Sequence, residues 1–266
     1  MEDTVAMARL AVDGGVTTMV CTPHMARSYP HTTAARVTRA AEDTRAALAQ
    51  AGVPLTVLTG AEIAMDWIGR MSDDDLRAAS LGGNGRWLLV EMPFVGWPVG
   101  VTDLLTDLEL RGFRAVLAHP ERAGAVQSAP ERMRDLVGRG ALVQVTAASL
   151  TGGHGRMARQ TARTLLRNGM VHLLASDAHD PEERVPGLIE GLRGAADAIR
   201  VDPDQLRWMV EEGPGLVLQG GDVRPPRFGV PSPVVREPRP ARPARPPGRP
   251  RAAPAGRRPR GRQTSR

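Results

Sequence analysis

Short apolar runs alternate along this chain with longer stretches in which apolar positions recur at helical spacing. The runs predict strands over 16–23, 54–63, 86–93, 114–121, 141–149 and 170–179. Between them, helices are predicted over 2–13, 33–51, 101–111, 130–139, 156–168, 185–199 and 203–218. Several of these close on glycine, as at Gly14-Gly15, Gly52, Gly112 and Gly169. Strands that are apolar almost throughout belong to a parallel sheet covered on both faces. Such strands alternating with helices predict an α/β domain over 1–221, either a barrel or a doubly wound sheet. From Asp222 onward Pro and Arg dominate and no apolar periodicity survives, so 222–266 is expected to be a disordered tail.

Charge sharpens that boundary. The chain of 266 residues has 35 basic and 29 acidic side chains, a net of +6. Residues 222–266 hold 13 Arg against only Asp222 and Glu237, so the basic excess lies in the tail and the body is acidic. High overall basicity is therefore no argument for a nucleic-acid-binding domain. The tail reads as a solvated extension that has the charge to bind anionic partners. No lysine occurs, a coding bias to which no function is attached. A single cysteine, Cys21, excludes an internal disulfide and suits a reducing compartment. No run of about 18 apolar residues and no signal peptide is present, so a cytoplasmic protein without a transmembrane segment is expected.

Cys21 and Arg27 stand in the Cys-x5-Arg-Ser spacing of thiolate phosphatases. The intervening residues argue against that chemistry. A phosphate cradle needs consecutive backbone N–H groups, usually with glycine, whereas "TPHMA" has no glycine and Pro23 lacks the donor. Cys21 reads as a small apolar strand residue.

The polar residues at the ends of the apolar runs are more informative. His24, Glu62, Glu91, His119, Asp177 and His179 fall there, and in parallel α/β folds those ends converge on one functional face. Glu91 interrupts "WLLVEMP", where a buried carboxylate needs a compensating charge. Asp177 and His179 alternate along a predicted strand and so are expected to share a face. Mixed imidazole and carboxylate donors suit Mn, Zn or Fe in a multinuclear centre. Arg122 is a candidate phosphate grip; Arg184 is either a second grip or a surface residue at a helix start.

"CTPH", "TGAE", "LAHPER" and "LASDAH", in this order, resemble the PHP (polymerase and histidinol phosphatase) superfamily. "GALVQVTAASLTG" and "GRMARQTARTLLRNGMVHLLASDAH" are similar to its manganese-dependent tyrosine phosphatases of bacterial capsule and exopolysaccharide clusters. Over about residues 1–220, the resemblance implies a distorted (β/α)7 barrel with a trinuclear site of two to three Mn ions. It implies phosphotyrosine hydrolysis by a metal-activated hydroxide. It places His24, Glu62, Glu91, His119, Asp177 and His179 on ligand positions, and Arg122 and Arg184 on phosphate-contacting ones. The implied partner is a phosphotyrosine protein, a bacterial tyrosine kinase of polysaccharide assembly.

Two departures stand out. The family's first strand, with Asp-x-His-x-His and a following Asp-Asp-Gly loop, has no counterpart; "MEDTVAMARLAVDGG" resembles the helix after that loop. The family's Asn after "HPER" is Ala123. Either Met1 is an internal methionine of a longer reading frame, or the gene is truncated. The first account is preferred, because a barrel lacking a strand exposes unpaired edges. The polypeptide as it stands is expected to show weak or no phosphatase activity. Two other readings stay open: a histidinol-phosphatase-like enzyme, and a non-catalytic remnant that binds through its tail.

Overall fold

In the computed structural model, which describes residues 1–224 and 226, the apolar runs form strands shorter than the runs themselves. The first two runs are each broken. β1 (Thr18–Cys21) and β2 (His24–Met25) flank Thr22-Pro23, while β3 (Thr56–Thr59) and β4 (Glu62–Ala64) flank Gly60-Ala61. The breaks lie side by side: β1 pairs with β3, β2 pairs with β4, and the Glu62 N–H donates to the Pro23 carbonyl at 3.1 Å. β5 (Trp87–Glu91), β6 (Arg114–Ala118), β7 (Leu142–Thr146) and β8 (Leu173–Ala175) complete a six-stranded sheet in the order β2-β4-β5-β6-β7-β8. Every pairing is parallel, and the strands neighbour one another in chain order.

The helices are α1 (Glu2–Asp13), α2 (Ala34–Gln50), α3 (Asp73–Ala79), α4 (Val101–Leu110), α5 (Gly124–Ser128), α6 (Met133–Gly138), α7 (Ala147–Thr151), α8 (Gly155–Arg167), α9 (Ile189–Ile199) and α10 (Glu212–Leu218). Local chemistry sets some of their starts: the Thr33 hydroxyl accepts the Arg36 N–H at α2, and Ser72 forms a capping box with Asp75 at α3.

Period-two alternation sorts the strand residues between two packed faces. Leu88 and Val90 of β5, with Ala115 and Leu117 of β6, join Leu105, Leu136 and Leu165 in the main, helix-covered core. Trp87, Leu89, Val116 and Leu142 face the other way into a smaller cluster with Val217 of α10. A third cluster lies among α1, α2 and β3, built from Ala8, Ala11, Leu48, Leu55 and Val57.

The differences from expectation have local causes. The run 141–149 keeps strand geometry only as far as Thr146, whose N–H donates to the Glu121 carboxylate, and α7 begins at the next residue. The run 170–179 keeps only Leu173–Ala175 as strand. Residues 203–218 divide into a 3-10 turn, Pro203–Met209, and α10. The short helices α3, α5 and α7 carry too few turns for a periodic signal. Asp222, assigned above to the tail, is ion-paired with Arg86, and the Trp87 indole N–H donates to the Gly221 carbonyl at 3.0 Å. Apart from 222–224 and 226, the tail expected to be disordered lies outside the described residues.

Helices α7 and α9 meet at Gly191, where an added Cβ would stand 2.4 Å from the Ala147 Cβ. Gly191→Ala is therefore expected to destabilise the fold by about 1–3 kcal/mol despite alanine's better helix propensity. A lower urea midpoint with an unchanged denaturant slope would show it; a higher midpoint would contradict this packing.

Candidate metal centre

Strand register brings the candidate ligands together. His24 and Glu62 are direct partners across β2 and β4. Glu91 ends β5 opposite Ala118, the residue before His119. Glu91 also follows Trp87 and Leu89 on the face turned away from the main core. The His119 Nε2 lies 2.7 Å from Glu62 Oε1 and 3.8 Å from Glu91 Oε1, and the His24 Nδ1 lies 3.7 Å from Glu91 Oε2. Two overlapping groups result, His24–Glu62–Glu91 and Glu62–His119–Asp177, each with donor atoms within 4.8 Å of one another. Glu62 belongs to both.

The charges are interlocked. Burial opposes ionisation of Glu62, but the hydrogen bond and charge of His119, with the charge of His24, hold its carboxyl below the usual range. Burial and the adjacent Glu62 charge push Glu91 up. Burial works against the His119 imidazolium, yet its bond to Glu62 raises it.

Backbone strain accompanies these positions. His119 (φ 30°) and Asp177 (φ 53°) occupy the left-handed region without being glycine, a conformation that costs of order 1–3 kcal/mol each. At His119 the strained turn is held by its N–H donating to the Gln144 carbonyl at 2.8 Å. At Asp177 it is held by guanidinium groups. Arg122 Nη1 donates to Asp177 Oδ2 at 2.7 Å, and Arg184 Nη2 donates to the same oxygen and, at 3.0 Å, to the Asp177 carbonyl. Arg184 is delivered by a turn in which the backbone N–H groups of Glu182, Glu183 and Arg184 donate to Asp180. Hydrogen bonds from Glu183, Glu182 and Arg184 hold the Asp180 carboxyl below its ordinary range. The alternative reading of Arg184 as a surface residue at a helix start fails, because α9 begins only at Ile189.

His179 sits at the rim. The turn at Asp177 ends the strand alternation, yet the His179 Nδ1 stays 3.8 Å from Asp177 Oδ1 and 3.0 Å from the Asp177 carbonyl oxygen. Its side chain is 45 % exposed and falls outside the two donor groups. The other five predicted ligands converge.

Several residues around the centre were not read from the sequence as part of it. Glu121 is fully buried; its Oε1 accepts from the Ser149 hydroxyl at 2.7 Å and from the Thr146 N–H at 3.0 Å. These bonds tie the turn carrying His119 and Arg122 to the start of α7. The Ser149 hydroxyl also meets His154 Nδ1 at 3.2 Å. Burial and the Arg122 charge hold His154 below its usual range. Phe94 stacks on His119 and Tyr29 on His24. The carboxylate of Glu121, immediately before Arg122 at a strand end, was visible; the loop residues His154, Phe94 and Tyr29 sit at no strand end and carried no signal. Cys21 lies on β1 with its thiol pushed up by burial, against the pull of Arg45, so it remains a thiol.

Comparison with known proteins agrees with this geometry. Residues 1–204 match the family model described as capsular polysaccharide synthesis, CpsB/CapC. The chain is 34% identical over 183 residues to the tyrosine-protein phosphatase YwqE of Bacillus subtilis, covering 68% of this chain and 71% of that one. It is 23% identical over 192 residues to the tyrosine-protein phosphatase CpsB of Streptococcus pneumoniae, covering 70% and 78%. A solved structure from work on YwqE and CpsB, described there as unique metal-dependent tyrosine phosphatases, superposes with a TM-score of 0.74 at 28% identity. It covers 85% of this chain and 90% of that one. A parallel sheet shared with that structure and a family match running from α1 through α9 leave one assignment: the chain belongs to the CpsB/CapC family of capsular polysaccharide synthesis.

Proposed function

We propose that this chain is a metal-dependent protein-tyrosine phosphatase of the PHP type. The observation that carries this reading is the pair of overlapping donor groups sharing Glu62, with Arg122 bonded to Asp177 beside them. The donor chemistry fits divalent cations: imidazole and carboxylate only, no thiolate, and a shared carboxylate able to bridge two ions. His24, Glu62, Glu91, His119 and Asp177, with His179 beside Asp177, would hold two to three ions, with Mn preferred and Zn or Fe compatible. Bound there, the ions would lower the pKa of coordinated water and offset phosphoryl charge.

The chain's own residues do the rest. Arg122 and Arg184 present guanidinium forks at Asp177, placed to take phosphoryl oxygens and fix the ester's orientation. Glu121, through Ser149 and Thr146, fixes the turn from which Arg122 projects. The names of the relatives support a phosphotyrosine protein as substrate, with a tyrosine kinase of polysaccharide assembly as the proposed partner. Parallel strands neighbouring in chain order, packed on both faces, support the distorted (β/α)7-type barrel. Among the described residues no helix is long and apolar enough to cross a membrane; a cytoplasmic location remains part of this proposal.

The test is phosphate release with added Mn2+. Hydrolysis by the chain as it stands is expected to be weak, to favour phosphotyrosine peptide over histidinol phosphate, and to stop on adding a chelator. Preference for histidinol phosphate would replace this reading with the small-molecule one. Cys21→Ser is expected to leave kcat/KM unchanged; a large loss would return the cysteine to the mechanism.

A further inference from the structure

The loop after β5 exposes more apolar surface than solvent-facing chain requires, and it lies against the centre. Phe94 is 45 % exposed, Val95 is 89 % exposed and Val99 is fully exposed. Three exposed apolar side chains within six residues of one loop, the first of them in contact with the centre, suit a contact surface. The loop is anchored at both ends of this patch. The Gly124 N–H donates to the Phe94 carbonyl at 2.9 Å, and the Arg132 guanidinium lies 3.8 Å from the Trp97 ring centroid. The Phe94 ring stacks on the His119 imidazole at 6.0 Å and 6°, with the Arg122 guanidinium 5.3 Å from its centroid. One half-exposed ring therefore touches both a candidate ligand and a candidate phosphate grip.

We infer that Phe94, with Val95 and Val99, forms the wall that receives the aryl ring of the substrate, so that the site selects aryl over alkyl phosphomonoesters. The inference rests on the phosphatase reading above and adds its specificity. A phosphoryl group held by Arg122 has its ester substituent leaving past the ring that Arg122 covers. A phenyl group there gains an aromatic contact and apolar burial, whereas the methylene of an alkyl ester gains little. Tyr29, the other exposed ring beside the centre, is a poorer choice. It stacks on His24 at 5.4 Å but lines a groove of about 370 Å³, among Pro23, His31, Arg36 and Val37, in which Arg122 takes no part.

The experiment is calorimetric titration of the full chain, in Mn2+, with phenylphosphonate and methylphosphonate, neither of which is hydrolysed. Phenylphosphonate is expected to bind about tenfold tighter, and Phe94→Ala to reduce that ratio to about twofold or less while methylphosphonate affinity holds. Val99→Ser, at a side chain lying wholly in solvent, is expected to lower the ratio by about twofold. An equal loss for both phosphonates in Phe94→Ala would overturn the inference, because the ring would then only position Arg122 or His119. A ratio that survives both substitutions would overturn it as well. If neither phosphonate binds the unaltered chain, the phosphatase reading fails and this inference fails with it.

Discussion

Replacing His119 by alanine is expected to cost more than about 100-fold in Mn2+ affinity, and hydrolysis with it, since removal of mere supporting partners of metal ligands already costs 10- to 100-fold. Three separate losses coincide at this position. The imidazole is one of three donors in the second ligand group. It is the buried hydrogen-bond partner of Glu62, whose carboxylate belongs to both groups. Its ring also supports Phe94. The variant is still expected to fold, because the Gln144 carbonyl bonds the backbone N–H rather than the side chain, and alanine leaves the main core untouched. Equilibrium dialysis against Mn2+ with circular dichroism as the folding check separates the two effects. Undiminished metal binding by a folded His119→Ala chain would remove this histidine from the centre.

The second large effect is acid sensitivity from His172, which lies far from that chemistry. Its side chain is buried, its Nδ1 accepts the Val143 N–H at 2.9 Å, and burial lowers its pKa from 6.5 to about 4. Above pH 6.5 the imidazole is neutral in the folded and unfolded chains alike and costs nothing. As pH falls below 6.5 the unfolded chain binds a proton that the folded chain refuses, so stability declines. The decline amounts to about 3 kcal/mol by pH 4 and levels off below it. His172→Asn keeps an acceptor for Val143 and removes the titration. At pH 7.5 the variant should be slightly the less stable through lost packing. At pH 4.5 it should be the more stable, since the wild-type Tm alone loses about 2–4 °C per kcal/mol from this source. Carboxylates titrate in both proteins, so the difference between them isolates the imidazole. A Tm difference that does not change with pH would refute the assignment.

Much of this was legible in the sequence because it is written in short-range signals. The apolar runs located every strand but β2, which begins just past the first run, and the polar residue at or after the end of each run located His24, Glu62, Glu91 and His119. Register then did what pattern could not, setting His24 against Glu62 and Glu91 beside His119. The reading failed where backbone departs from its regular period. A left-handed residue at Asp177 turns the chain and leaves His179 at the rim of the centre, 3.8 Å from Asp177 Oδ1, and nothing in "SDAHD" distinguishes that turn from a continuing strand. The role of Arg184 likewise depended on the Asp180 turn rather than on the helix expected to begin there. Phe94 and His154 were invisible for a different reason: their importance comes from what lies across space, with no local pattern to announce it.

The paired breaks at Pro23 and Gly60 have a consequence for cohesion. Cys21, before the break, packs with the small cluster of α1, α2 and β3; Met25, after it, belongs to the main core. His24 is the first residue across that seam. Its strand partner Glu62 is likewise the first residue past the neighbouring break, its N–H bonded to the Pro23 carbonyl. An ion held by His24, Glu62 and Glu91 would therefore tie together three adjacent strands, β2, β4 and β5, at the edge of the seam. By linkage, its binding free energy would also be stability of those short strand ends, so anything that loosens them would be felt as weaker grip on the ion.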